Sequence, residues 1–440
     1  MKFLAICSIL LIALQSFAQK PDPVIATATG KTYTAASLSP EARKIYENQD
    51  KILEKRRTRL LNEMIAASLL DLEAKARNTT PGNMLAQEEA KVADPPAEQI
   101  QSVYDANRDA LGGRPLSEVR GEIIKHLRRD SEEKAIEAFV QALQGKHKIV
   151  RGKDVNSPNL KPSDSLASVG TQTITVQQFE QINRIELGDI HGEIYEELRS
   201  DLSASILSSL LTVEAASRNM DASSLLAVEV TDKLRLYTEN ERAEVESALK
   251  KRLFAKYNVK ILLPEPEWIV HAISSDGDPV LGKSTGTVTV TMFTDFQCPA
   301  CAATHPALKR VAAEYGDKVK IVVRDFPLES IHPNAFQAAL AANAAFRQGK
   351  FAEYIEKLYA AQDNLDKDSL FRYAAELGLD AKQFALDFSD EKAAAEVRED
   401  IAEGRKLGVG GTPSIFVNGI KVHRSSAESF RDAIDRELKK

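Results

Sequence analysis

The chain is poor in cysteine, in tryptophan and in long apolar runs. Three Cys and one Trp occur among its 440 residues. So few cysteines exclude a disulfide-stapled scaffold. A membrane span takes ~20 apolar residues, and no stretch of this chain comes close. Charge of one sign is lacking too. Lys+Arg number 58 against 64 Asp+Glu, a net charge of −6, and this interspersed balance argues against a nucleic-acid partner. The basic run Lys55-Arg56-Arg57-Thr58-Arg59 lies in a helical, Glu-containing segment and reads as a solvated helix face.

What is present begins with a leader. Met1-Lys2 is a short positive start, Phe3 to Leu14 is apolar, and Ser16-Phe17-Ala18 offers small residues for cleavage. Residues 1–18 are therefore expected to be a cleavable signal peptide, and the mature protein to be periplasmic or secreted. Cys7 falls inside that leader and is expected to be discarded with it.

The length predicts about three domains. A repeat organises the first two thirds: Leu69-Leu70-Asp71-Leu72-Glu73-Ala74-Lys75-Ala76-Arg77-Asn78 returns 141 residues later as Leu210-Leu211-Thr212-Val213-Glu214-Ala215-Ala216-Ser217-Arg218-Asn219. The same offset relates Thr32-Tyr33-Thr34 to Thr173-Ile174-Thr175, Leu61 to Leu202 and Ile65 to Ile206. Two copies of one module follow. Each opens with a β-like segment around Gly30 or Gly170, and continues as helix with Leu61, Ile65, Leu69 and Leu72 on one face. Each ends in a basic apolar tail, Lys148-Ile149-Val150 or Lys260-Ile261-Leu262. The second copy lacks the later insertion of the first, with its Asp94-Pro95-Pro96 and Gly112-Gly113. The expected order is module 1 at 19–150, a linker at 151–165, a shorter module 2 at 166–263, a linker at 264–277 and a last domain at 278–440.

The modules resemble the helical N-terminal region of the SurA and parvulin-type periplasmic foldases. The likeness rests on the glycine followed by Tyr-Thr or Ile-Thr, the helix ending Glu-Ala-x-x-Arg-Asn, and Gln99-Ile100-Gln101-Ser102-Val103-Tyr104-Asp105-Ala106-Asn107 before a closing helix. It implies a chaperone-like, peptide-contacting surface or self-association, including a homodimer. A plain spacer or dimerisation stalk remains open beside it. No stretch is left for a parvulin catalytic domain.

In the last domain the run Val288-Thr289-Val290-Thr291-Met292-Phe293 reads as a strand, and it delivers Cys298-Pro299-Ala300-Cys301. A C-x-x-C at a strand-to-helix junction signals thiol redox chemistry. Cys298 is expected at the helix N-terminus, where unpaired N–H groups and the dipole favour thiolate, and so as the nucleophile. Cys301, one turn on, is the buried resolving sulfur. Lys318 to Arg324 and Ser414 to Asn418 read as strands, and Pro333 to Arg405 as Ala-rich helices.

Three spaced motifs, Thr294-Asp295-Phe296-Gln297-Cys298-Pro299-Ala300-Cys301, then Arg324-Asp325-Phe326-Pro327-Leu328 with His332-Pro333-Asn334-Ala335, then Gly408-Val409-Gly410-Gly411-Thr412-Pro413-Ser414, resemble the DsbA-like thioredoxin-fold thiol:disulfide oxidoreductases. The resemblance covers about Asp278 to Leu438. It implies an α/β thioredoxin fold with a helical insertion, following the two mainly α-helical modules. It also implies a cis Pro413 facing the disulfide, Thr412 pairing with substrate backbone, and Pro299, Ala300 and Thr412 beside the substrate and setting the potential. Pro-Ala lacks the histidine that the strongest oxidants carry between their cysteines, so an intermediate potential is expected. His305, on the next turn, is a candidate tuning residue, with a partly exposed histidine of no redox role as its alternative.

The expected function is an exported enzyme, a thiol:disulfide oxidoreductase that oxidises cysteine pairs in unfolded or cysteine-containing exported proteins. A separate redox partner would recycle it, and no cofactor is needed beyond the Cys298–Cys301 disulfide. The alternatives are an isomerase or reductase, or a non-enzymatic chaperone or assembly factor. Gly277 to Ser284 has the letters of a phosphate-binding loop, but a β-branched strand follows where a helix must open. Zinc would need four ligands, and Cys298, Cys301 and His305 supply three at most, so no metal is expected.

Overall fold

A computed structural model of the protein describes residues 22–108, 114–275, 277–283 and 285–440. The expected leader, with Cys7, as well as Gly112-Gly113 and Ser284, lies outside the described residues. The protein is multidomain and largely helical, and it divides into two compact units. One takes the described residues up to Glu47 together with Leu198–Pro264; the other takes Asn48–Glu197 together with Glu265–Lys440. Neither unit is continuous in sequence. The boundaries expected above follow chain order.

In the first unit, strands Val24–Ala28 and Lys31–Thr34 form a hairpin, and the outer partner of Val24–Ala28 is Lys260–Ile261, with Ala26 opposite Ile261. The hairpin turns at Gly30, whose φ of 73° lies where a side chain would be strained. Helix Arg184–Ser217 contributes Leu202, Ile206 and Leu210 at four-residue spacing, all buried, and its Ser209 hydroxyl accepts from the Tyr33 hydroxyl of the hairpin at 3.3 Å. Its last turns carry Glu214, buried beneath Arg218 at 2.6 Å, Lys256 at 2.6 Å and the Tyr257 hydroxyl at 2.8 Å. Lys256 above all holds that carboxyl down to about 2.

The second unit holds a similar arrangement and a separate α/β domain. Hairpin Ser165–Val169 and Gln172–Thr175 pairs with Ile149–Arg151 and packs on helix Pro40–Ala76. Leu61, Ile65 and Leu69 meet Leu166, Val169, Ile174 and Phe179 there. Near the helix end, Glu73 is buried among Arg77 at 2.6 Å, Lys146 at 2.7 Å and His147 at 2.8 Å, and is held down to about 2, chiefly by Lys146. What covers this carboxyl is the charged ends of its own partners, so their bonds outweigh its desolvation. The segment 151–165, expected as a linker, places Val155 in the same core.

The α/β domain is built on a five-stranded sheet in the order Ile420–Val422, Ser414–Val417, Val288–Thr294, Val319–Asp325, Val280–Gly282. The two middle strands, Val288–Thr294 and Val319–Asp325, run parallel and every other pairing is antiparallel. Both are buried almost throughout, as strands covered on both faces must be. Helices Pro299–Glu314 and Ala427–Leu438 pack together against the sheet. Five helices from Ala335–Arg347 to Glu391–Lys406 fill the span between Val319–Asp325 and Ser414–Val417. The first is lined with buried alanines, Ala338, Ala341, Ala342 and Ala345 among them, which let its neighbours approach closely. The phosphate-loop letters at 277–284 include the edge strand Val280–Gly282.

Within the second expected linker, 264–277, Val270 bridges to Ile420, and the His271 N–H donates to the Gly419 carbonyl at 2.9 Å. The first half of helix Arg184–Ser217, which belongs to this unit, lies against the same edge. Asp189 pairs with Lys421 at 2.8 Å, and the Glu196 carboxylate accepts the N–H groups of His423 and Arg424, each at 3.0 Å. Gly192 permits the approach, since a Cβ there would sit 2.5 Å from His423 Nε2.

Candidate active site

The strand Val288–Thr294 ends in a short loop, and Cys298 then caps helix Pro299–Glu314 with extended backbone, φ −77° and ψ 121°. Pro299 suits the first helical position because its missing N–H would be unpaired there anyway. The Cys298 carbonyl accepts the N–H groups of Cys301 at 3.1 Å and Ala302 at 3.2 Å, so the two sulfurs stand one turn apart. Both are free; Cys298 is 7% exposed and Cys301 0%. That difference leaves only Cys298 within reach of another molecule.

Across the sheet, the Thr412–Pro413 peptide is cis, and the Cys298 thiol donates to the Thr412 carbonyl at 3.4 Å. The fold thus gathers Cys298, Cys301, Thr412 and Pro413, with Pro299 and Ala300 exposed on the helix tip. Burial pushes the Cys301 thiol up to about 12, and only partial relief comes from the Asp295 backbone and the hydroxyls of Thr294 and Thr412. At neutral pH Cys301 is held as a thiol. The Thr412 hydroxyl is buried, and a charged Cys301 sulfur would give it an acceptor.

His305 differs from the partly exposed residue expected as its alternative reading. It is buried, because helix Phe351–Ala360 of the insertion lays Tyr359 and Glu356 over it. Its Nε2 pairs with Glu356 at 3.0 Å, Lys309 binds the same carboxylate, and its ring tilts on Tyr359 with centroids 4.7 Å apart. Burial lowers its pKa, which keeps it neutral. Tyr359 reaches further, with its hydroxyl 2.7 Å from that of Thr294 and its ring 5.4 Å from Phe296.

Residues quoted above without a role hold the loop in place. Asp295 is buried and accepts the Gln297 N–H at 2.7 Å and the Leu328 N–H at 2.9 Å, while His332 Nδ1 lies 2.7 Å from it. Gln297 in turn accepts the Asn334 N–H at 2.8 Å. Arg324 lies between Asp400 at 2.9 Å and Glu403 at 2.9 Å, and donates to the Ser274 carbonyl at 3.2 Å. Asp325, facing Asn343 at 2.7 Å, is pushed up to about 7 by burial and then by Asp400. Two further residues had no signal in the sequence: Tyr359 and Gln362, the second of which donates to the carbonyls of Phe296 at 3.0 Å and Cys298 at 2.8 Å. Both come from the helical insertion, some 60 residues downstream of the cysteines.

Residues 274–436 match a protein family described as Thioredoxin. Among curated proteins, the chain is similar to the Na(+)/H(+) antiporter NhaA 1 of Mycolicibacterium vanbaalenii, 36% identical over 162 residues, which is 36% of this chain and 26% of that protein. It is likewise similar to the Na(+)/H(+) antiporter NhaA 3 of Salinispora tropica, 37% identical over 175 residues, 39% of this chain and 27% of the relative. The chain therefore spans about a quarter of the length of these relatives. Among solved structures, a thioredoxin-like oxidoreductase from Silicibacter pomeroyi is 30% identical, covering 38% of this chain and 94% of that one with a TM-score of 0.35. BdbD from Bacillus subtilis is 24% identical, covering 40% and 100%, with a TM-score of 0.36. The C-terminal region of the chain is a thioredoxin-like domain.

Proposed function

We propose that the protein is an exported thiol:disulfide oxidoreductase acting on cysteine pairs of other exported proteins. The observation that carries the reading is the Cys298 sulfur, capping a helix and 3.4 Å from the Thr412 carbonyl, with Cys301 sealed behind it. A client thiolate attacks Cys298 in the Cys298–Cys301 disulfide; the S–S bond breaks and Cys301 leaves, taking a proton. The second client thiolate then attacks the client sulfur of the mixed disulfide and expels Cys298, which takes up the second proton. The client loses two electrons and two protons, and the cysteine pair gains them. A separate disulfide donor restores the oxidised form.

The helical parts are, in this reading, two copies of one foldase-like module that have exchanged hairpins. The supporting observations are the twin buried carboxylates, Glu73 with Arg77 and Glu214 with Arg218, at the 141-residue offset, and the pairing of each hairpin with the tail that closes the other copy. Their role is to hold unfolded clients near Cys298. A shortened chain beginning at Pro266 should oxidise a small dithiol peptide at nearly the full-length rate, yet be slower on an unfolded protein, where added binding surface raises the effective concentration of client thiols. Equal rates on the unfolded protein would make the helical parts a spacer.

A further inference from the structure

Gln362 has no counterpart among the residues that the cysteine chemistry obviously needs, and it reaches the site from another part of the domain. It lies in the loop between helices Phe351–Ala360 and Lys367–Glu376. One amide nitrogen makes both of its bonds, to the Phe296 carbonyl at 3.0 Å and the Cys298 carbonyl at 2.8 Å. The two N–H groups are thereby committed to the backbone on either side of Gln297, and the orientation of the amide is fixed.

The loop that carries Gln362 is itself held. Leu365 is buried at 0% exposure, its carbonyl accepts from Gln337 at 3.0 Å, and the Asn364 carbonyl accepts from the Tyr373 hydroxyl at 3.0 Å. A side chain on so braced a loop can fix its target to a fraction of an ångström. The target is the cap of the redox helix. Cys298 O already accepts from Cys301 and Ala302, and the added donor draws negative charge away from a carbonyl in the same residue as the reactive sulfur.

We propose that Gln362 is a positioning residue through which the helical insertion sets the redox balance of the Cys298–Cys301 pair. The proposal rests on the oxidoreductase reading. Its physical content is a sign: withdrawing the amide donors leaves the Cys298 carbonyl more negative, which disfavours the thiolate and with it the reduced form. A Gln362→Met side chain keeps the length and loses both donors. Gln362→Glu keeps the shape and, when ionised, sets an anion against two carbonyls.

The test uses the full chain equilibrated with reduced and oxidised glutathione, with the two forms counted by alkylation and mass. The equilibrium constant for reduction should fall about 3- to 10-fold in Gln362→Met and further in Gln362→Glu. The rate of Cys298 alkylation at neutral pH should fall in the same order. Gln348→Met is the control, since Gln348 also makes two bonds inside the insertion, to the Asp380 carbonyl at 3.3 Å and from the Asp380 N–H at 2.8 Å, without touching the cysteine loop; its equilibrium should match the parent. Gln362 variants within twofold of the parent, or an equal shift in Gln348→Met, would overturn the proposal. A parent chain that never equilibrates with glutathione would instead overturn the oxidoreductase reading.

Discussion

The Cys298 sulfur donates to the Thr412 carbonyl at 3.4 Å, and the Thr412 hydroxyl is buried and lowers the pKa of Cys301. One residue thus bears on both sulfurs, its carbonyl accepting from Cys298 and its hydroxyl favouring the charged form of Cys301. Thr412→Val removes only the second. It should slow attack of a dithiol peptide on the disulfide by about 3- to 10-fold, because a less supported sulfur leaves more slowly. Thr412→Ser should restore the rate. Stopped-flow kinetics of peptide oxidation would read both, and an unchanged rate in Thr412→Val would remove the hydroxyl from the chemistry.

The difference in exposure between the cysteines predicts a difference in trapping. Cys301→Ala should accumulate mixed disulfides with clients through Cys298, whereas Cys298→Ala should trap almost none, since burial holds Cys301 as a thiol with a pKa of about 12. Non-reducing gels followed by mass spectrometry would count the adducts. Equal trapping by both variants would reverse or dissolve the roles.

The contact between helix Arg184–Ser217 and the sheet edge should depend on pH. Burial pushes Glu196 up to about 7 despite the N–H groups of His423 and Arg424; Arg436 opposes the shift and Asp432 adds to it. A carboxyl whose pKa is raised in the folded state stabilises fully below its ordinary range, near 4.5, and that stability is lost as pH rises through about 7. The chain should therefore lose on the order of 2 kcal/mol between about pH 5 and pH 8, and Glu196→Gln should flatten the profile. Trp268, the one tryptophan, sits in this contact with the Arg436 guanidinium 4.0 Å from its ring centroid and Tyr195 edge-on at 5.6 Å. Its emission in denaturant titrations at each pH would follow the change.

Glu73 and Glu214 carry the opposite sign. Each is held down to about 2 by its basic partners, so each contributes stability above the ordinary carboxyl range that is lost as pH falls through about 2. Glu73→Gln and Glu214→Gln should each cost about 1–3 kcal/mol near pH 7 and almost nothing at pH 2. Urea melts at the two pH values would test this, and a cost that persists in acid would point to packing as its source.

These residues also mark what could be read from the chain. The cysteines, the Gly-Thr-Pro segment and the strand before the motif are local patterns, each legible within a dozen residues. Glu73 and Glu214 were visible as a repeat, but their partners Lys146 and Lys256 lie far along the chain at different offsets in the two copies. Which tail completes which hairpin was not legible, because either tail satisfies the same alternation of apolar residues. The burial of His305 was not legible for a related reason: helical spacing says which face it lies on, and only the arrival of Tyr359 and Glu356 decides that this face is covered. Gln362 has no local signature at all, since a lone glutamine in a loop carries no pattern until the backbone it serves is beside it.

The most direct test of the central claim is a stoichiometric one. The full chain, with Cys298 and Cys301 joined as a disulfide, is mixed with a reduced dithiol peptide, quenched in acid and alkylated, and every free thiol is counted by mass. The account predicts that the chain gains two alkyl groups, at Cys298 and Cys301, for each peptide that loses two. A peptide that stays reduced while the chain stays unmodified would contradict it.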